Sequence, residues 1–137
     1  MPDLPAPFPL AIVIADAVHI DPSNGKAFIM GTFSTIQASA FPGAHQSIGV
    51  FISLTGGRGN VPIKATLVRT GEDEETIAQA EAELEFADPR VIVDLVLTFK
   101  DIVFAEPGEY RVQLYAAGEF MIERRFVVLS PATEEER

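Results

Sequence analysis

The chain has 137 residues, with 20 Asp and Glu against 10 Lys and Arg, a formal net charge of −10, and neither Cys nor Trp. This length makes one domain with enough core to stand without covalent staples. The absence of Cys removes any disulfide framework and fits a reducing compartment. The acidity argues against nucleic acid and anionic membranes, because both are bound through clustered Lys and Arg.

Residues 1–9, Met-Pro-Asp-Leu-Pro-Ala-Pro-Phe-Pro, read as an extended, mobile, proline-rich lead-in. They lack the basic segment and apolar helix of a secretion signal. The run from Leu10 to Ile20 contains Asp16 and is too short to span a bilayer. A soluble, cytoplasmic protein is expected. Leu10–Ile20 is instead a first strand, with Ile12, Ile14, Val18 and Ile20 on one face and Val13 on the other. Asp21-Pro22-Ser23-Asn24-Gly25-Lys26 is a hairpin turn. It leads into a second strand, Ala27–Ala38, in which Gly31 is expected to mark a bulge.

After Phe41-Pro42-Gly43-Ala44, a turn, comes a third strand over Ser47–Leu54 with Ile48, Val50, Ile52 and Leu54 inward and Phe51 outward. Thr55–Asn60 is a glycine-rich loop that lacks the lysine and following helix of a phosphate cradle. Arg58 and Asn60 make it the candidate contact loop, since loops on rigid scaffolds often carry binding. The fourth strand, Val61–Thr70, turns Val61, Ile63, Ala65 and Leu67 inward and Val68 outward. Thr76–Phe86 fits either period: alternation sets Ala78, Ala80, Ala82, Leu84 and Phe86 against Gln79, Glu81, Glu83 and Glu85, while Ala and Glu favour helix intrinsically. The surrounding strands favour strand. Val91–Phe99 is the most apolar strand, with Ile92 and Val96 on its outer side.

Pro107-Gly108 then reverses the chain. Tyr110, Val112, Leu114 and Ala116 alternate with Glu109, Arg111, Gln113 and Tyr115. The last strand is Glu119–Leu129, and residues 130–137 read as a disordered charged tail. The stretch Phe104–Gly118 resembles the corner before the sixth strand of immunoglobulin-like sandwiches, in which a tyrosine hydroxyl folds back onto the chain upstream. Tyr110 would be that tyrosine, with Pro107 and Gly108 shaping the corner. Val112 stands where antibody domains have their second cysteine, and the antibody tryptophan is also missing, so the resemblance is to the broad immunoglobulin-like or fibronectin-like class. The order of Gly25-Lys26, Gly31-Thr32-Phe33, Phe41-Pro42 and Pro107-Gly108-Glu109-Tyr110 is also similar to a small bacterial family of uncharacterised proteins. These resemblances imply an all-β, antiparallel immunoglobulin-like sandwich of seven to nine strands over residues 10–129, without disulfides.

No catalytic constellation stands out. There is no Cys, no Gly-x-Ser-x-Gly elbow, and His19 and His45 lie near predicted turns. Glu72–Glu75 reads as a solvated acidic turn rather than a cation site. No cofactor or metal is expected. Val13, Phe51, Val68, Ile92 and Val96 put more apolar side chains on outer strand faces than one buried face per strand requires. Mean hydropathy is +0.21 despite the charge. These five residues are therefore expected to form a protein interface, for a homodimer or a protein partner. The expected function is that of a non-enzymatic module acting by protein contact or self-association. The alternatives are a small-ligand or glycan-binding sandwich, or an enzyme with an unrecognised site.

Overall fold

The computed structural model describes residues 7–131. The expectations for residues 1–6 of the lead-in and 132–137 of the tail lie outside that range. Among the described residues there are nine strands: β1 (Phe8–Ile20), β2 (Ala27–Thr32), β3 (Thr35–Gln37), β4 (Gly43–Thr55), β5 (Gly59–Arg69), β6 (Glu75–Phe86), β7 (Val93–Phe104), β8 (Gly108–Ala116) and β9 (Glu119–Leu129). They form an immunoglobulin-like sandwich of two sheets, β2-β1-β4-β7 (sheet A) and β3-β9-β8-β5-β6 (sheet B). All pairings are antiparallel except that of β3 with β9.

Period-2 alternation builds the core from both inner faces. Ile48, Val50, Ile52 and Leu54 of β4 face Ile63, Ala65 and Leu67 of β5 and Val112 and Leu114 of β8, all buried. Each full burial of an Ile, Leu or Phe side chain stabilises by about 1.5–3 kcal/mol. One end of the core is aromatic. The Tyr110 ring lies 4.9 Å from Phe104 and 5.8 Å from Phe126, and Phe33 meets Phe126 edge-on at 5.6 Å. Asp101 has φ of +53° in β7, and beyond it Ile102 and Phe104 point into the core although Phe99, of opposite parity to Ile102, does so too.

Two expectations on the elements change and one open choice is settled. The single second strand is two, β2 in sheet A and β3 in sheet B; the chain changes sheets at Phe33-Ser34. Gly31 sits at φ +75°, and a Cβ there would come within 2.6 Å of the Asp16 carboxylate, so only glycine fits beside β1. Val18 and Ile20 do not reach the core: beyond Ala15, β1 leaves β4 and its hairpin with β2 stands out from the sandwich. Phe28 and Met30 on that hairpin are exposed. Where β1 departs it lies over Gly49, at which a Cβ would meet the Val18 backbone nitrogen at 3.1 Å. The ambiguous segment at 76–86 is strand, as the sandwich context favoured: β6 pairs along its length with β5.

Candidate functional site: the outer faces of the two sheets

The corner joins β7 of sheet A to β8 of sheet B. Tyr110 is 1% exposed, and its hydroxyl donates to the Glu106 carbonyl at 2.6 Å. Burial pushes the phenol up from its ordinary value, so the neutral, donating form is kept. Gly108, at φ +142°, begins β8 directly after Pro107.

On sheet A the outer positions of β1, β4 and β7 line up by register. Val13 lies opposite Phe51, and Phe51 opposite Val96, giving an apolar row across three strands. All three are half-buried. On one side runs Ala15, Gly49 and Thr98; on the other, Ala11, Ser53 and Asp94, where the Ser53 hydroxyl donates to Asp94 Oδ1 at 2.8 Å. Ile92 precedes β7 with the parity of Val96 and is 61% exposed. Phe8 and Leu10 at the start of β1 are also exposed. Three of the five expected interface residues therefore lie on one sheet, and Ile92 lies just before its edge strand. The fifth does not: Val68 lies on sheet B and is 4% exposed, set between Thr76 and Arg111 in the cross-strand register. Its neighbour in that register, Arg111, has a side chain only 19% exposed, so the outer face is closed at this point.

Sheet B has a different outer face. Its register gives the row Gln79, Thr66, Gln113, Glu123 and, beside it, Glu81, Lys64, Tyr115, Phe120. The Tyr115 hydroxyl donates to Gln113 Oε1 at 3.2 Å, and Gln113 Nε2 donates to Glu123 Oε1 at 3.4 Å. Arg111 donates from Nε to Thr70 Oγ1 at 3.0 Å and pairs with Glu123 at 3.3 Å and with Glu74. Arg69 pairs with Glu75 at 3.3 Å and Glu106 at 2.9 Å. Two carboxylates of the acidic turn are thus held by arginines. The Lys64 ammonium sits 5.3 Å from the centre of the Tyr115 ring, against which Phe120 packs edge-on at 5.9 Å. Beside them is a groove of about 400 Å³ lined by Pro62, Lys64, Glu81, Glu83, Tyr115 and Gly118.

The expected contact loop is smaller than the sequence suggests. Asn60 is on β5, opposite Glu85, and Arg58 alone of the pair is in the connection, where it is exposed. Gly57 lies against the Phe86 ring, and the Gly56 N–H donates to the Pro89 carbonyl at 2.8 Å, so the connection is tied to the segment before β7. His45 is half-buried with its ring 6.0 Å from Phe104, and His19 is exposed on the hairpin. Among the described residues no three His, Cys, Asp or Glu side chains converge as metal ligands. Sequence reasoning did not find the Arg111 hub or the placing of Lys64 over Tyr115. The signal for both was present in the alternation, which puts these side chains on one outer face once β5 and β8 are known to be neighbours.

A family model described as a family of unknown function (DUF6941) matches residues 10–129. The chain belongs to that family. No curated protein matches it. Among solved structures it is similar to an immunoglobulin-like protein from Pseudomonas aeruginosa, at 14% identity over 90% of this chain and 96% of that one, with a TM-score of 0.41. It is also similar to parts of a β-glucosidase from Listeria innocua in complex with isofagomine (12% identity, 86% of this chain, TM-score 0.46) and of the alkylpurine DNA glycosylase AlkC from Pseudomonas fluorescens (9%, 85%, TM-score 0.40). The chain spans 16% of the first enzyme's length and 30% of the second's.

Proposed function

We propose that this protein is a non-enzymatic immunoglobulin-like module of the bacterial cytoplasm that works by protein contact, and that the outer face of sheet A makes the contact. The observation that carries the reading is the half-buried apolar row Val13, Phe51, Val96, with exposed Thr98 beside it. On a chain of net charge −10, this uncharged row, with Asp94 at its margin hydrogen-bonded by Ser53, is where another acidic molecule, including a second copy, approaches at low electrostatic cost. Contiguous apolar surface on a sheet that needs only one buried face favours an interface. Phe51→Lys tests it. Light scattering and the set of proteins that co-purify from the native host are compared between the wild type and the variant. The reading expects the assembly, with itself or with a partner, to be lost while the fold is kept. It is overturned if both the molar mass and the co-purifying set are unchanged.

The groove on sheet B favours a second reading, a site for a small polyhydroxylated ligand such as a saccharide. Tyr115 and Phe120 offer aromatic surface, and Lys64, Glu81 and Glu83 offer hydrogen-bonding groups beside it. Amide chemical-shift changes confined to β5, β6 and β8 on adding oligosaccharides, and abolished by Tyr115→Ala, would support it. Spectra that no oligosaccharide of a broad panel perturbs would remove it.

A further inference from the structure

Both sheets end on the same flank of the sandwich in a long, free strand: β7 for sheet A and β6 for sheet B. Among the described residues no strand pairs with the outer edge of either. A bare edge of this length offers a row of backbone donors and acceptors to any extended chain. The two edges differ in what they accept. On β6, Gln79, Glu81, Glu83 and Glu85 share the outer side, so pairing β6 with a copy of itself sets carboxylates against carboxylates. On β7, Asp94 and Lys100 lie equally far from Leu97 on either side, both exposed and both on the outer face.

We infer that a second copy of this chain docks along the free edge of β7, antiparallel, about a two-fold axis at Leu97. The inference rests on the self-association form of the protein-contact reading. In that register each Asp94 stands opposite the Lys100 of the other copy, so the edge complements itself in charge twice. Val96 stands opposite Thr98, a pair of β-branched side chains that suits a strand–strand contact. Inward-facing Val93 and Leu95, left half-buried where the sandwich ends, are covered by the neighbour. Sheet A becomes a continuous sheet of eight strands. An axis perpendicular to the sheet keeps both outer faces on one side. The row Val13, Phe51, Val96 of each copy then ends against the exposed Thr98 of the other, and the two rows lie on one continuous face.

Charge reversal with rescue tests the register. The wild type is expected to be a dimer by light scattering. Asp94→Lys sets lysine against lysine at both ends of the seam and weakens the dimer by roughly 100-fold. Lys100→Asp does the same with carboxylates. The double variant Asp94→Lys/Lys100→Asp restores the dimer, and circular dichroism shows all three variants folded. A dimer indifferent to both single reversals but lost in Phe51→Lys overturns the β7 seam while the contact-face reading stands. A wild type that stays monomeric at high micromolar concentration also overturns the seam, and leaves the contact face to a different protein. Loss of the dimer in the single variants without rescue in the double variant overturns this register.

Discussion

The two sheets share one core and present opposite surfaces. On sheet B the outer side chains satisfy one another: Tyr115 bonds Gln113, Gln113 bonds Glu123, and Glu123 and Glu74 pair with Arg111. On sheet A the outer positions of three neighbouring strands carry Val13, Phe51 and Val96, which have no polar groups to satisfy and cover one another only in part. Strand periodicity alone does not distinguish the two faces, because both alternate. The difference lies in whether the outer residues meet chemical partners across the strands. A face whose charges and amides are paired within the chain is finished. A face that is apolar and half-buried gains by being covered further.

The sharpest way to test that contrast is within one strand. Ile52 and Phe51 are neighbours on β4, one without exposure in the core and the other on the outer face. Ile52→Ala removes core methyl and methylene groups and leaves a cavity, and should cost about 2–5 kcal/mol in denaturant unfolding. Phe51→Ala should cost well under that in the monomer, since its ring is covered only in part. If the two variants lose equal stability, Phe51 is a core residue and the outer face of sheet A is not a surface at all.

Sheet B is probed at its hub. Arg111 has a side chain 19% exposed, donates to Thr70 and pairs with Glu123 and Glu74. Arg111→Ala strands these groups and opens the space over Val68. The expected loss is about 1–2 kcal/mol, below the core variant because Glu74 and Glu123 are reached by water. Arg111→Met, which keeps the cover over Val68 but not the charge, should recover part of it. If Arg111→Met and Arg111→Ala are equally stable, the hub acts through its ion pairs and the cover contributes nothing.

The same contrast marks what was legible before the fold was seen. Inward residues declare themselves by alternation, as Ile48 to Leu54, Val61 to Leu67 and Tyr110 to Ala116 do, and the turn chemistry of Pro107-Gly108 marks the corner. Outward residues are legible only through their neighbours. Val13, Phe51 and Val96 stood out as surplus apolar residues, yet their alignment depends on the registers of β1, β4 and β7. Val68 shares the same parity signature and is buried, on a strand flanked by β6 and β8 with Arg111 beside it. The split of the second strand was likewise hidden. Gly31 announced an irregularity, but the crossing to sheet B is decided by Phe33 packing on Phe126, 93 positions later, and by β3 pairing with β9. The ambiguity of Thr76–Phe86 was real at the level of propensity. It is settled by pairing with β5, which sets Glu81 opposite Lys64.

The smallest expected effect concerns the corner beneath both faces, and it carries a pH signature. The Tyr110 hydroxyl donates to the Glu106 carbonyl at 2.6 Å. Tyr110→Phe keeps the ring packed on Phe104 and Phe126 and removes only that bond, so it should cost about 1 kcal/mol near neutral pH. Burial is the main cause that raises the phenol above its ordinary value of 10.0, outweighing the hydrogen bond to Glu106 that lowers it. The sign follows from which state ionises first. The unfolded chain loses its tyrosine proton at the ordinary value, while the native state holds on to it, so the contribution is complete below pH 10 and is lost as pH rises through the native value. The wild type should therefore be the more stable protein at pH 7, and its margin over Tyr110→Phe should shrink as the pH passes 10. Tyr115, half-buried on the outer face of sheet B, is present in both proteins and cancels in the difference. Urea unfolding of the two proteins from pH 7 to pH 11 measures it. A margin that holds constant to the alkaline end would show that the phenol is not the group through which the corner responds to pH.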